Sequence, residues 1–365
     1  MKVAVIGTAG IPANYGGFET LAQNLAYAHE MRHLDFDMEV YCSGKNYQER
    51  PSHFLNTKLR YLPLEANGIS SIPYDVISIL MAVINRSDTI LVLGVSGAIA
   101  LPALRVFTGK RVVTNIDGIE WRRDKWRGLA RWFLRLSERC AVRYSDVVIA
   151  DNAAIASYIQ RNYGVLPTVI AYGGDHALHA ETKCPDQIDL PKNYAVSVCR
   201  IEPENNIHII LEAFSNTPEI PLIMVGNWTN SRSGQNLRAT YATHSNISLL
   251  DPIYDPGILK YLRLNARLYI HGHSAGGTNP SLVEAMHFGM PILAYDCDFN
   301  QSTTEQGCLY FSDIETLVAQ LKNIDSVSTT AIGEKMKEIA SRRYTWAVVA
   351  NQYFESLVGP AKFIF

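Results

Sequence analysis

At 365 residues the chain is long enough for two domains of ordinary size. It is 47% hydrophobic and 19% charged, which excludes a disordered or fibrous protein. A net charge of −2 supplies no global field to recruit nucleic acid or a membrane.

The N-terminus, MKVAVIG, enters a strand directly, and no signal peptide is expected. In chain order, strands are predicted at 2–7 and 38–43, with a helix at 18–31 between them. The longest uncharged apolar run, 89–104, is short for a bilayer and holds Gly94, Gly97 and Pro102. It reads as buried strand 90–93, a turn, and helix 98–106, preceded by helix 73–85. Strand 111–115, helix 126–144, strand 147–150 and helix 153–163 follow. This alternation predicts parallel sheets covered by helices on both faces.

The rhythm breaks near 172–192, YGGDHALHAETKCPDQIDLPK, where glycine, proline and charge cluster into an expected linker. It then restarts with strands at 194–198, 222–225, 247–249, 268–271 and 291–294. Helices at 207–214, 256–264 and 281–288 alternate with them, and the tail is helical at 314–323, 331–341 and 346–357. The expected architecture is two doubly wound α/β domains facing across a cleft. Its segments are 1–172, linker 173–192, 193–343 and a terminal helix at 344–365. The six cysteines, at 42, 140, 184, 199, 297 and 308, show no metal spacing, which favours a reducing cytoplasm.

Three stations carry chemistry. In the first, GTAGIPANYGGFE (7–19), Gly16 and Gly17 precede a helix beginning near Phe18. Such a turn lets backbone approach a phosphate or an acceptor closely, or is simply a tight turn. It is neither GxGxxG nor a P-loop. In the second, NIDGIEWRRDKW (115–126), Asp117 and Glu120 follow a strand and suit a polar substrate, or form a solvated loop. Beyond them Trp126, Arg127, Arg131, Trp132 and Arg135 make a basic–aromatic helix face, suited to anionic lipid or to a buried tryptophan with a solvated rim. In the third, CRIEPENN (199–206), Arg200 is placed to reach an anion or to pair with Glu202 or Glu204.

The most informative stretch is HGHSAGGTNPSLVEAMHFGM, 271–290. A strand runs into the small-residue loop Gly276, Gly277, Thr278, Asn279, then into a helix opened by Pro280 with Glu284 about one turn inside. Free N–H groups at a helix start attract anions, and a carboxylate accepts bonds from a ribose diol. The plain alternative is a strand–turn–helix with a solvated acid. Asp296-Cys297-Asp298 spells a DxD, but that metal signature belongs to a single-domain fold. His271 and His273 lack a third ligand, so no metal is assigned.

Taken together, the stations resemble those of GT-B glycosyltransferases of family 4, in the same order along nearly the whole chain. The strings GTAGIPANYGGFET, NIDGIEWRRDKW and HGHSAGGTNPSLVEAM are closer still to the bacterial rhamnosyltransferase subgroup that builds capsule and O-antigen repeats. Tyr344-Thr345-Trp346 resembles the start of the family's last helix, which crosses back to the N-terminal domain. The resemblance implies a retaining, metal-independent transferase with no cofactor, taking a nucleotide-sugar donor of the dTDP-β-L-rhamnose kind. It implies a saccharide acceptor carried on polyprenyl diphosphate, a peripheral contact with the inner membrane face, and no nucleic acid. Asp117, Arg200 and Glu284 would carry catalysis. Gly16, Gly17, Phe18, Glu120, Asn205, Ile253, Tyr254 and Gly276 to Asn279 would bind substrates, with the base near 252–254.

Two positions depart from the family pattern. Gly276 stands where the first acid of a Glu-x7-Glu motif is usual, and Asn205 where a lysine grips the diphosphate. Arg200 is then the only clear cation carried over from the family's diphosphate site; the alternative is that Arg122 or Arg123 replaces the lysine. The departures keep a GT-B-fold epimerase, a phosphorylase and a silent nucleotide-sugar-binding subunit as alternatives. A nicotinamide-dependent oxidoreductase fits worse, for want of GxGxxG.

Overall fold

The computed structural model describes residues 1–13, 16–122, 128–185, 190–326 and 329–359. The chain divides into two compact units, Met1–Ala171 with Trp346–Phe365, and Tyr172–Thr345.

The first unit is built on strands β1 (Lys2–Ile6), β2 (Asp37–Ser43), β3 (His53–Phe54), β4 (Thr57–Leu62), β5 (Thr89–Leu93), β6 (Arg111–Asn115), β7 (Val147–Ala150) and β8 (Thr168–Val169). Their order across the sheet is β3-β4-β2-β1-β5-β6-β7-β8, parallel throughout except at β3–β4. Helices α1 (Gly17–Met31), α2 (Ser71–Ile84), α3 (Leu101–Phe107), α4 (Gly128–Tyr144) and α5 (Ala153–Tyr163) make the crossovers. The buried runs VAVI in β1 and TILVL in β5 are apolar on both faces, as a covered parallel sheet requires. Strand β4, TKLRYL, is absent from the predicted elements: Lys58 and Arg60 alternate with Leu59 and Tyr61, unlike the continuous apolar runs of the covered strands. Arg60 fits there because its guanidinium meets the buried Glu39 carboxylate at 2.9 Å.

The second unit contains β9 (Ala195–Val198), β10 (Leu222–Val225), β11 (Ile247–Leu250), β12 (Leu268–His271), β13 (Ile292–Tyr295) and β14 (Leu309–Phe311). Their order, β11-β10-β9-β12-β13-β14, is all parallel and reverses between β9 and β12. This is the strand order of dinucleotide-binding folds, in which ligands bind at the carboxyl ends of strands where the order reverses. The covering helices are α6 (Ile207–Ser215), α7 (Arg232–Tyr241), α8 (Pro256–Asn265), α9 (Pro280–His287), α10 (Asp298–Thr303), α11 (Ile314–Lys322) and α12 (Thr329–Arg343). One core, centred on Trp228, Phe214 and Phe311, fills the space between the sheet, α6 and α11. Helix α7 escaped the sequence pattern because it buries only Gly234 and Tyr241.

The expected linker opens as structure. A 3-10 turn, Asp175–Leu178, packs on α9, and the Gly174 N–H donates to the Tyr344 carbonyl at 2.7 Å. The last helix, α13 (Trp346–Val358), belongs to the first unit and packs on α1 and β5. There Asn115 donates to the Tyr353 hydroxyl at 2.5 Å, and Arg111 donates to the Ser356 carbonyl at 2.9 Å. Among the described residues no helix is long and apolar enough to cross a membrane.

Candidate active site

In the second unit the reversal of strand order sets the loop after β9 beside the loop after β12. Gly272 permits the approach, since a Cβ there would lie 2.1 Å from the Asn205 carbonyl oxygen. The loops are stitched by side chains. Asn205 Oδ1 meets His273 Nδ1 at 2.9 Å, its Nδ2 donates to the Arg200 carbonyl at 2.8 Å, and Asn206 donates to the Gly272 carbonyl at 2.9 Å. Asn205 is buried, so both ends of its amide are spent inside the protein and not offered to a ligand.

Arg200 behaves differently. It is exposed at the carboxyl end of β9, and its guanidinium makes no bond or ion pair with any described residue, Glu202 and Glu204 included. After the neighbouring loop, α9 begins at Pro280, and Asn279 caps it by accepting the Ser281 N–H at 3.0 Å. The Gly277 and Asn279 N–H groups make no bond within the described protein. An exposed guanidinium and open N–H groups at a helix start each suit an anion, and both lie on loops that follow the neighbouring strands β9 and β12. Thr278 is buried in the same loop, and Gly276 turns it with φ at +92°.

Glu284 is not a solvated helix residue. Its Oε2 accepts from Arg263 at 2.5 Å, and its Oε1 lies 3.3 Å from His176 Nε2, on the turn Asp175–Leu178. Burial pushes the carboxyl up, but Arg263 and His176 outweigh burial and hold it below its ordinary value. The carboxylate is therefore ionised and fixed in place. Nearby, His271 ends β12 with its Nε2 buried and without a partner; burial, reinforced by His273, holds the ring well below its ordinary value, hence neutral. Ile253 is half-buried and Tyr254 exposed in the loop after β11, two strands from the reversal. Asp296 Oδ1 accepts from Gln301 at 2.5 Å, and no group of metal-binding side chains occurs among the described residues.

In the first unit the order reverses between β1 and β5. The glycine-rich loop after β1 holds a group that the sequence analysis did not single out. Glu19 Oε1 accepts the Ala9 N–H at 2.7 Å and the Thr8 hydroxyl at 3.1 Å. Its Oε2 presses on Gly16, where a Cβ would lie only 1.9 Å away, with φ at +135°. Gln23 takes the Ala13 N–H at 2.7 Å. The cradle beside Gly16 and Gly17 thus holds the chain's own carboxylate, and of the two expected occupants, phosphate or acceptor, a hydroxyl-bearing acceptor suits it better. The available signal was an acid in the first helical turn, three residues past the loop. Phe18 packs against Gly94 of the loop after β5.

Asp117, past β6, has φ of +60°, uncommon for a residue with a Cβ, and its N–H is held by Asn115 Oδ1 at 2.8 Å. Glu120 opens the short turn Glu120–Arg122. That turn is fastened by Trp121, whose Nε1 donates to the buried Glu138 at 3.1 Å. Glu138 also accepts from Tyr158 at 2.7 Å and Tyr163 at 2.5 Å. Residues 123–127, with Arg123, Trp126 and Arg127, lie outside the described residues, as does the Arg122 side chain.

Residues 181–325 match the family described as Glycosyl transferases group 1, and residues 1–175 match a family described as Domain of unknown function (DUF1972). Sucrose-phosphate synthase (tll1590) from Thermosynechococcus elongatus is similar in structure, at TM-score 0.80 and 16% identity over 97% of each chain. The Anabaena protein Alr3699/HepE, solved with UDP and glucose, gives TM-score 0.71 and 18% identity over 99% of this chain and 100% of that one. WaaG, a glycosyltransferase of lipopolysaccharide biosynthesis, gives TM-score 0.71 and 14% identity over 99% and 100%. A comparison with curated proteins finds no match. Two parallel-sheet domains of this kind define the GT-B fold. The chain is a GT-B-fold protein that carries a group 1 glycosyltransferase domain in its second unit.

Proposed function

We propose that the protein is a retaining family 4 glycosyltransferase of the rhamnosyltransferase subgroup. In this reading it moves L-rhamnose from dTDP-β-L-rhamnose to a saccharide on polyprenyl diphosphate, in capsule, O-antigen or exopolysaccharide synthesis. The observations that carry it are the unpaired Arg200 on the loop after β9, the open N–H groups before α9 on the adjoining loop, and the ionised Glu284 about one turn into that helix. A donor already carries its leaving group, so catalysis needs positioning and stabilisation of negative charge on the departing diphosphate. Arg200 and the Gly277 and Asn279 N–H groups supply that charge stabilisation. Glu284 accepts the ribose hydroxyls, and Ile253 and Tyr254 flank the base. A pocket without an acid at Gly276 suits a 6-deoxy sugar with fewer hydroxyls to hold. In the first unit, Glu19 and Asp117 offer carboxylates to acceptor hydroxyls. The leaving phosphate takes the acceptor proton on the same face, and no metal or cofactor takes part.

A thermal-shift screen of dTDP-, UDP- and GDP-sugars tests the donor. At a hundredfold excess over Kd, a bound donor stabilises the fold by about 2.7 kcal/mol. The dTDP-rhamnose shift is expected to be largest, and Glu284→Ala is expected to weaken binding by about 1–3 kcal/mol. Product analysis then separates a glycoside from an epimer or from no product. A missing shift with every nucleotide sugar rules the proposal out.

A further inference from the structure

The loop that carries Asp117 leaves the first sheet at the carboxyl end of β6. Its entry is pinned by neighbouring strands. The Asn115 carbonyl accepts the Gly94 N–H at 2.9 Å, and the Ile116 N–H donates to the Ile149 carbonyl at 3.0 Å. Ile116, Gly118 and Ile119 are buried, whereas Asp117 between them is left partly open to solvent. Its φ of +60° is a conformation that a residue with a Cβ keeps only when its surroundings hold it there.

The support comes from a buried side chain. Asn115 Oδ1 accepts the Asp117 N–H at 2.8 Å, closing a turn from a side chain to the backbone two residues on. The amide can do this in only one of its two orientations, because the flipped amide would set its own N–H groups against the Asp117 N–H. On its other side, Asn115 Nδ2 donates to the Tyr353 hydroxyl at 2.5 Å, and both residues are buried. Tyr353 thus supplies the acceptor that lets the amide keep Oδ1 towards Asp117. The two residues are 238 apart in the chain, so no local pattern joins them. The helix that carries Tyr353 is itself fixed: Val349, Ala350 and Leu357 of α13 are wholly buried. The hydroxyl also lies within the field of the carboxylate it helps to place. Burial pushes the phenol up, the Asn115 bond works against burial, and the Asp151 and Asp117 carboxylates add to it, so the phenol stays protonated.

We infer that Tyr353 is a positioning residue: through Asn115 it holds Asp117 in the conformation that presents its carboxylate to the acceptor. The link stands on the two hydrogen bonds, and only its purpose rests on the role proposed for Asp117. A packing role for Tyr353 would be met equally by phenylalanine. A positioning role needs the hydroxyl, because without it a buried amide N–H has no acceptor and the amide is free to turn away from Asp117.

The test is Tyr353→Phe in the full chain, beside Asn115→Ala and the double variant. Amide exchange is read by nuclear magnetic resonance. The Asp117 amide is expected to exchange at least tenfold faster in both single variants, with the amides of α13 and of 111–114 unchanged. Transfer from dTDP-rhamnose to octyl glycosides is expected to lose at least tenfold in kcat in Tyr353→Phe, with the donor KM and the affinity for dTDP within twofold of wild type. The double variant is expected to be no slower than Asn115→Ala, because Tyr353 acts through Asn115. Asp117 exchange that Tyr353→Phe leaves unchanged overturns the inference. So does exchange that rises along α13 as much as at Asp117, or a double variant in which the two losses multiply. Failure of the function reads differently: a wild type that transfers nothing, yet protects Asp117 where Tyr353→Phe does not, removes the function and keeps the link. Full transfer by Tyr353→Phe with fast Asp117 exchange removes the positioning role and keeps the function.

Discussion

Asp75 and Glu284 are both removed from bulk water, yet they titrate in opposite directions. Glu284 has Arg263 and His176 beside it, so its contribution is present above the ordinary carboxylate range and is lost as pH falls through its lowered value. Asp75, on α2 against Gly97, receives no hydrogen bond from any described residue, and burial pushes it up to about 8. Its unfolded value is about 3.9. Between these values the folded chain keeps a proton that the unfolded chain has released, so stability falls as pH rises through the window and levels off above it. Asp75→Asn removes that dependence while keeping the shape. Its melting temperature is expected to match wild type near the lower end of the window and to exceed it by a growing margin towards the upper end. Thermal melts across that range check this; a constant offset means that Asp75 is ionised when folded.

At the scale of elements, the loops after β9 and β12 act as one piece because Asn205 ties them. The family lysine expected at this position would place an ammonium in a buried site that now satisfies both ends of an amide. Asn205→Lys is expected to destabilise the protein by on the order of 3 kcal/mol or more, from two lost hydrogen bonds and an unpaired buried charge. Urea titration measures it, and a variant as stable as wild type would show that the lysine can swing out towards the donor. Sequence patterns made the strands and helices around this site legible: β12 is a continuous apolar run, and Asn279-Pro280 is a helix start by its own chemistry. What they left hidden is contact between distant segments. Nothing in local periodicity pairs Glu284 with Arg263 or His176, or folds Glu19 back onto Ala9. Those bonds follow from the path of the loops, and a path is fixed by packing across the whole unit. Arg200 was legible as a cation, but its freedom from Glu202 and Glu204 was not, because two nearby acids make an ion pair the simpler expectation.

At the scale of the whole molecule, the chemistry is divided between the two units. The groups proposed to hold the diphosphate, Arg200 and the N–H groups before α9, belong to the second unit, together with Glu284 and its partners. The corresponding loop of the first unit is filled by its own carboxylate, Glu19. A nucleoside diphosphate should therefore stabilise the second unit by direct binding and find no anion site in the first. By mass action, a hundredfold excess over Kd lowers the population of the open, binding-incompetent form about a hundredfold. Hydrogen exchange with saturating dTDP is then expected to slow by up to that factor for amides of 199–206, 272–284 and the strands β9 and β12, where exchange requires opening of the site. Amides of 7–19 and 115–121 are expected to change far less with dTDP alone. The division also predicts the response to Arg200→Ala, which should abolish the protection in the second unit without altering exchange in the first. Equal protection of 7–19 would place a phosphate beside Glu19 despite its charge, and the assignment of acceptor hydroxyls to that loop would have to be given up.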